Sequence, residues 1–189
     1  MNRRLMSGLA AFAAVMVAVS ASACGGDASA GVLLKKVPVD MVPAELPGTA
    51  GDPPLTLAEY AQGARRIDAA GKNSMVVDGK VWEIRRGTTL VGALQVSTLL
   101  PKVDLSKPKQ REQLASLVLS GAVQRIQVQG VEVVASRTAD KVVFLWFGNQ
   151  LFEVLQMKGA GISPENMLKG ILDYQRPTGQ LRIVSKGHS

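Results

Sequence analysis

Apolar residues along the chain occur in unbroken runs, at helical intervals and at alternate positions, and each spacing predicts a different element. Residues 5–19 form an apolar run broken only by Ser7 and Gly8. From Thr56, a T-x-x-E box closed by Glu59 predicts a helix to about Ala70. Leu57, Tyr60, Ala61, Ala64 and Ile67 would share one face of it, with Arg65, Arg66 and Asp68 on another. Residues 75–77 and 80–84 flank Asp78-Gly79, a two-residue hairpin signal. Leu90, Leu94 and Val96 mark a strand over residues 88–98 that Gly92 would bend. Pro101 and Pro108 bracket a loop, and Leu114, Leu117 and Val118 then recur at helical spacing over residues 109–120, where Gly121 stops the helix.

Residues 123–128 and 131–136 read as strands with Gly130 between them as a turn or bulge. The clearest pairing joins residues 141–147 to 151–157 through Gly148-Asn149. Because residues 142–147 are apolar without alternation, this strand is expected to be covered on both faces and to lie at the centre of the core. Ser163 caps a last helix, Pro164 takes its first position, and Met167, Leu168, Ile171 and Leu172 form its buried stripe, ending near Gln175. Residues 181–184 would add a short edge strand, and residues 186–189 would fray. Hairpins outnumber βαβ crossovers, so the expected fold class is α+β. It is a mostly antiparallel sheet packed against two or three helices in a single domain over residues 56–185.

Asn2-Arg3-Arg4, the apolar run and the small residues Ala21 and Ala23 have the layout of an export signal over residues 1–23. The apolar run falls short of the roughly 20 residues a membrane helix needs, so cleavage is the expected fate. Ala21-Ser22-Ala23-Cys24 resembles the lipobox of bacterial lipoproteins, with Ala21 where that family usually carries Leu. The resemblance implies that Cys24 is acylated and becomes the mature N-terminus, held at the extracytoplasmic face of the cell membrane by two or three acyl chains. Ala21-Ser22-Ala23 and Ala28-Ser29-Ala30 would also suit an ordinary signal peptidase. Residues 24–55 carry Pro38, Pro43, Pro47, Pro53 and Pro54 and read as a flexible tether, within which Val32-Leu33-Leu34 and Met41-Val42 would brush the membrane or dock on the domain.

The formal charge of +7 loses two of its cations with the leader and remains positive. Such an excess favours anionic headgroups or cell-wall polymers. No base-reading motif accompanies it, and nucleic acid is not an expected partner. Cys24 is the only cysteine and His188 the only histidine, next to the last residue. That removes nucleophile-plus-imidazole sites and Cys/His zinc sites, and no metal or cofactor is expected. Carboxylate chemistry survives: Glu132, Glu153 and Asp140 would serve glycan hydrolysis if they converged, whereas the alternation of Glu132 and Glu153 with apolar neighbours suits an ordinary polar face.

Trp82, Trp146, Phe147 and Phe152 are the candidate lining of a ligand pocket, though aromatics make up only 4% of the chain and a core would claim most of them. Lys158-Gly159-Ala160-Gly161, between a strand and a helix, would hold an anion or simply connect the two elements. Arg65-Arg66, Arg85-Arg86 and residues 107–111 would form a basic face or ordinary solvated surface.

The closing aromatic strands and Ser-Pro-Glu helix are distantly similar to small exported domains of the PsbP-like or lipoprotein-carrier sort, a resemblance without a functional motif. The expected function is a membrane-anchored envelope lipoprotein whose non-enzymatic domain binds a protein, lipid or other envelope ligand. The alternatives are a carboxylate-based hydrolase of cell-wall glycans and a lipid or lipoprotein carrier, which would need an apolar cavity against a curved sheet.

Overall fold

Residues 142–147 alternate strictly in where they point, and this sets the architecture. Val142, Phe144 and Trp146 enter one apolar core, while Val143 and Leu145 with Phe147 enter another on the opposite side of the sheet. A strand buried on both faces needs no polar positions, hence the unbroken apolar run. The computed structural model describes residues 36–47, 53–62, 75–158 and 162–183. Among these, the strands are β1 (Glu45–Leu46), β2 (Leu55–Glu59), β3 (Val76–Arg86), β4 (Thr89–Leu99), β5 (Val123–Val128), β6 (Val131–Arg137), β7 (Lys141–Phe147) and β8 (Leu151–Lys158). Helix α1 (Pro108–Val118) separates β4 from β5, and α2 (Pro164–Gln175) follows β8.

The strands form one eight-stranded sheet in the order β1-β2-β3-β4-β8-β7-β6-β5, with every pairing antiparallel. After β4 the chain crosses through α1 to the far edge and returns strand by strand until β8 closes on β4, with Gly92 opposite Met157 and Thr98 opposite Leu151. Among the described residues the fold is thus mainly an antiparallel sheet with helices α1 and α2 in one domain, and the sheet dominates.

Helix α2 covers one face. Ser163 Oγ accepts the Asn166 backbone N–H at 3.3 Å, Pro164 opens the first turn, and Met167, Leu168, Ile171 and Leu172 are buried, all as the spacing predicts. Helix α1 covers the other with Leu114, beside Leu99 at the end of β4 and Val103 and Leu105 of the preceding loop, while Leu117, expected in the stripe, is 37% exposed.

Three local expectations are corrected. The box formed by Thr56 and Glu59 does not start a helix. Leu55 and Leu57 are buried at alternate positions of β2, which pairs with β3 through Leu57 opposite Ile84. A period of two thus outweighs the cap there, and residues 63–70 lie outside those described. Asp78-Gly79 is not a turn, because both residues sit inside β3 beside a register shift between Val76 and Asp78. The reversal falls at Gly87-Thr88, with Gly87 at φ 56°.

The third correction concerns the stretch expected as a tether. Its residues 36–47 form a strap packed on the α2 face, with Val37, Met41, Val42 and Leu46 buried in the same core as α2. A Cβ on Gly170 would stand 3.1 Å from Leu46 Cδ2, so the helix offers a notch that Leu46 fills. Burying such side chains contributes about 1.5–3 kcal/mol each.

Glycine at position 92 reflects close approach: a Cβ there would lie 2.6 Å from Met157 Sδ and 2.7 Å from the Gln156 carbonyl oxygen. Of the expected edge strand, Leu181 and Ile183 make single bridges to Gly148 and Val131, and Val184 is outside the described residues.

Candidate functional site

The residues singled out from the sequence do not assemble into one site. Trp82 and Trp146 are buried in the α2-side core, whereas Phe147 and Phe152 lie in the α1-side core with ring centroids 5.9 Å apart. The three carboxylates do not converge either. Glu132 faces α1, where its Oε1 lies 3.9 Å from Arg111 Nε, and Glu153 is buried on the α2 side. Asp140 stands exposed in the β6–β7 turn, its pKa lowered chiefly by the Thr138 hydroxyl that donates to it at 2.8 Å. A glycan-cleaving pair built from these groups is therefore absent.

The basic clusters are held locally: Arg85 pairs with Glu83 at 2.7 Å and Lys107 with Asp104 at 3.5 Å. Cys24, Val32-Leu33-Leu34, Arg65-Arg66, His188 and residues 159–161 lie outside the described residues. No group of three His, Cys, Asp or Glu suited to a metal ion occurs among those described.

Two features remain. The first is a groove of about 240 Å³ between α1 and the β5–β6 margin of the sheet. Ala115 of α1, Leu119 just after it, and Val134 and Phe147 of the sheet give it an apolar lining, and Arg111, Glu112, Arg125 and Glu132 supply its charges. Arg125 and Glu112 bond at 2.6 Å, which raises the Arg125 pKa further. Both are more than half exposed, and such pairs contribute at most about 1 kcal/mol, so a ligand displaces them at little cost.

The groove runs along β5, the last strand of the sheet. Gln129 and Gly130 close the β5–β6 hairpin with φ 53° and 82°, the two positive values a type I′ turn requires. In such a hairpin Val128 and Val131 form the hydrogen-bonded closing pair, so by alternation Gln124 and Ile126 also bond to β6. The backbone groups of Val123, Arg125 and Gln127 point outward, where no strand among the described residues pairs with them. Val123 is itself 51% exposed.

The second feature is a buried polar centre under the strap. Glu153 Oε2 accepts from Gln175 Nε2 at 2.6 Å, and the same amide donates to the Met41 carbonyl oxygen at 3.0 Å. Glu153 and Gln175 have no exposed surface. Glu153 Oε1, Gln175 Oε1 and Trp146 Nε1 are buried without hydrogen bonds. Burial pushes the Glu153 carboxyl up to about 8, against smaller downward pulls from Gln175 and from the Trp146 indole, which faces the same carboxyl outside hydrogen-bonding geometry. The group is accordingly neutral at pH 7 in the folded protein, and a carboxyl so enclosed does not reach a substrate in solution.

Glu153 does not belong to the polar face that its alternation suggested. It shares its side of β8 with Leu151, Leu155 and Met157, all in the core. A lone acid in the apolar phase of a strand was the available signal for this centre, and nothing local in the sequence indicated Gln175 as its partner.

Comparison with protein-family models, curated proteins and solved structures finds no match to this chain. What it does must be argued from its own residues.

Proposed function

We propose that this chain is an exported, lipid-anchored envelope protein whose non-enzymatic domain binds an extended segment of a partner protein along β5. The observation that supports the reading is the unpaired outer edge of β5 running beside an apolar, charge-rimmed groove. Outward N–H and C=O groups give an added strand its backbone bonds, and alternate side chains of that strand enter the groove. The anchor is the part of the proposal that rests on Ala21-Ser22-Ala23-Cys24. No helix among the described residues is long and apolar enough to cross a membrane, so attachment through Cys24 supplies what those helices do not.

The carrier alternative is less favoured because side chains from α1, α2 and the strap occupy both faces of the central strands. The test is a photo-crosslinking residue placed at Val123 in living cells, with Tyr174 on α2 as the control position. A discrete adduct at position 123, absent at 174 and lost when Gln127→Pro removes an outward donor, is the expected result. Equal labelling at both positions, or an adduct indifferent to Gln127→Pro, refutes the strand-addition site. Mass spectrometry of the N-terminal peptide from membrane-extracted protein tests the anchor, and an unmodified Cys24 refutes it.

A further inference from the structure

We propose that the strap, residues 36–47, is a releasable latch on the α2 face of the sheet and that Glu153 is its pin, the neutral carboxyl keeping the strap docked through Gln175 and its ionisation setting the strap free. The geometry places one side-chain amide between the pin and the latch: Gln175 Nε2 holds Glu153 Oε2 at 2.6 Å and the Met41 carbonyl at 3.0 Å. Met41 is itself fully buried and takes a weak contact from the Thr178 hydroxyl at 3.9 Å from its sulfur. Beyond the amide, the strap is tied at its start, where the Val37 N–H donates to Asp78 Oδ2 at 2.7 Å, and at its end, where the Ala44 carbonyl accepts the Leu57 N–H at 2.8 Å and β1 pairs with β2, so release also gives up this edge pairing.

Every element around Glu153 presents it with an uncharged group. β4 offers Val96, β7 offers Trp146, α2 offers Gln175 and the strap offers Met41. No cation among these compensates an ionised carboxylate, so the charge is relieved by admitting water, and the strap is the layer that can leave without breaking the β4–β8 ladder. Docked, the carboxyl keeps its proton up to about pH 8. Undocked and hydrated, it returns to the ordinary carboxylate range, so opening releases a proton throughout the interval between. The equilibrium constant for opening therefore rises about tenfold per pH unit from about pH 5 towards 8 and levels off above that.

Release frees the chain ahead of β2, by up to about 3.5 Å for each freed residue. It also uncovers the Gly170 notch and the α2 surface that Leu46 fills. This device is independent of the β5 site, and either proposal can fail without the other.

Hydrogen exchange of the full chain, read by mass spectrometry between pH 5 and 9 and corrected for intrinsic exchange, tests the latch. Strap peptides from wild type should open about tenfold more per pH unit up to pH 8 while peptides from β7 and β8 stay protected. Glu153→Gln should abolish the pH slope. Asp78→Asn should raise strap opening by a similar factor at every pH and keep the slope. A wild-type strap whose opening ignores pH, a slope that persists in Glu153→Gln, or β8 opening in step with the strap overturns the proposal. The wild-type slope and its confinement to the strap decide the matter even if a variant does not fold.

Discussion

A carboxyl enclosed by side chains holds its proton, so folding takes up a proton at Glu153 across neutral pH. Its folded pKa of about 8 lies above the ordinary value of 4.5, and the sign follows. The contribution of this group to stability is complete below about pH 4.5 and is lost as pH rises to about 8. Urea denaturation of wild type should show stability falling by about 1.4 kcal/mol per pH unit in that interval, and Glu153→Gln should flatten the profile. At Gly92, where a Cβ meets Met157 and a backbone carbonyl, Gly92→Ala should cost about 1–3 kcal/mol by thermal or chemical melting. The acid was legible in the sequence as a break in the apolar phase of residues 151–157. Its partners were not, since Gln175 and Met41 meet it only through the tertiary fold.

The two helices illustrate how far an element's own residues determine it. Ser163, Pro164 and the stripe from Met167 to Leu172 specify α2 completely, and cap, first turn and buried face appear where the spacing places them. Leu168→Ala there should cost about 2–5 kcal/mol, because the side chain is fully buried, whereas Leu117→Ala on the open side of α1 should stay within about 0.5 kcal/mol. Comparison of denaturation midpoints checks both. Local signals failed at β2 and β3 for one reason. Thr56 with Glu59 and Asp78 with Gly79 carry strong short-range preferences, but each pair lies in a strand whose neighbours supply a ladder of backbone bonds and a buried face. Tertiary pairing outweighs about 1 kcal/mol of local preference. For the strap, docking of Met41-Val42 was one of two readings open in the sequence, and the expectation of a flexible tether failed because five prolines argue against regular structure but not against packing.

For the molecule as a whole, the expectation of a mostly antiparallel sheet with helices was readable from hairpin spacing and from the doubly apolar β7. The order of strands was not, because it depends on where the chain goes after β4. The proposed lipid anchor at Cys24 makes a separate expectation at this scale: Cys24→Ser should move the protein from the membrane fraction to the soluble or uncleaved pool, measured by fractionation and immunoblot. The seam between β4 and β8 has one more consequence. Residues 92–98 find their central partners only in residues 151–157, so a ribosome must deliver nearly the whole polypeptide before the sheet can close. Such distant pairings fold slowly. A nascent chain of this design stays open until residues 151–157 have emerged, so the proposed export would pass it unfolded and leave the sheet to close afterwards.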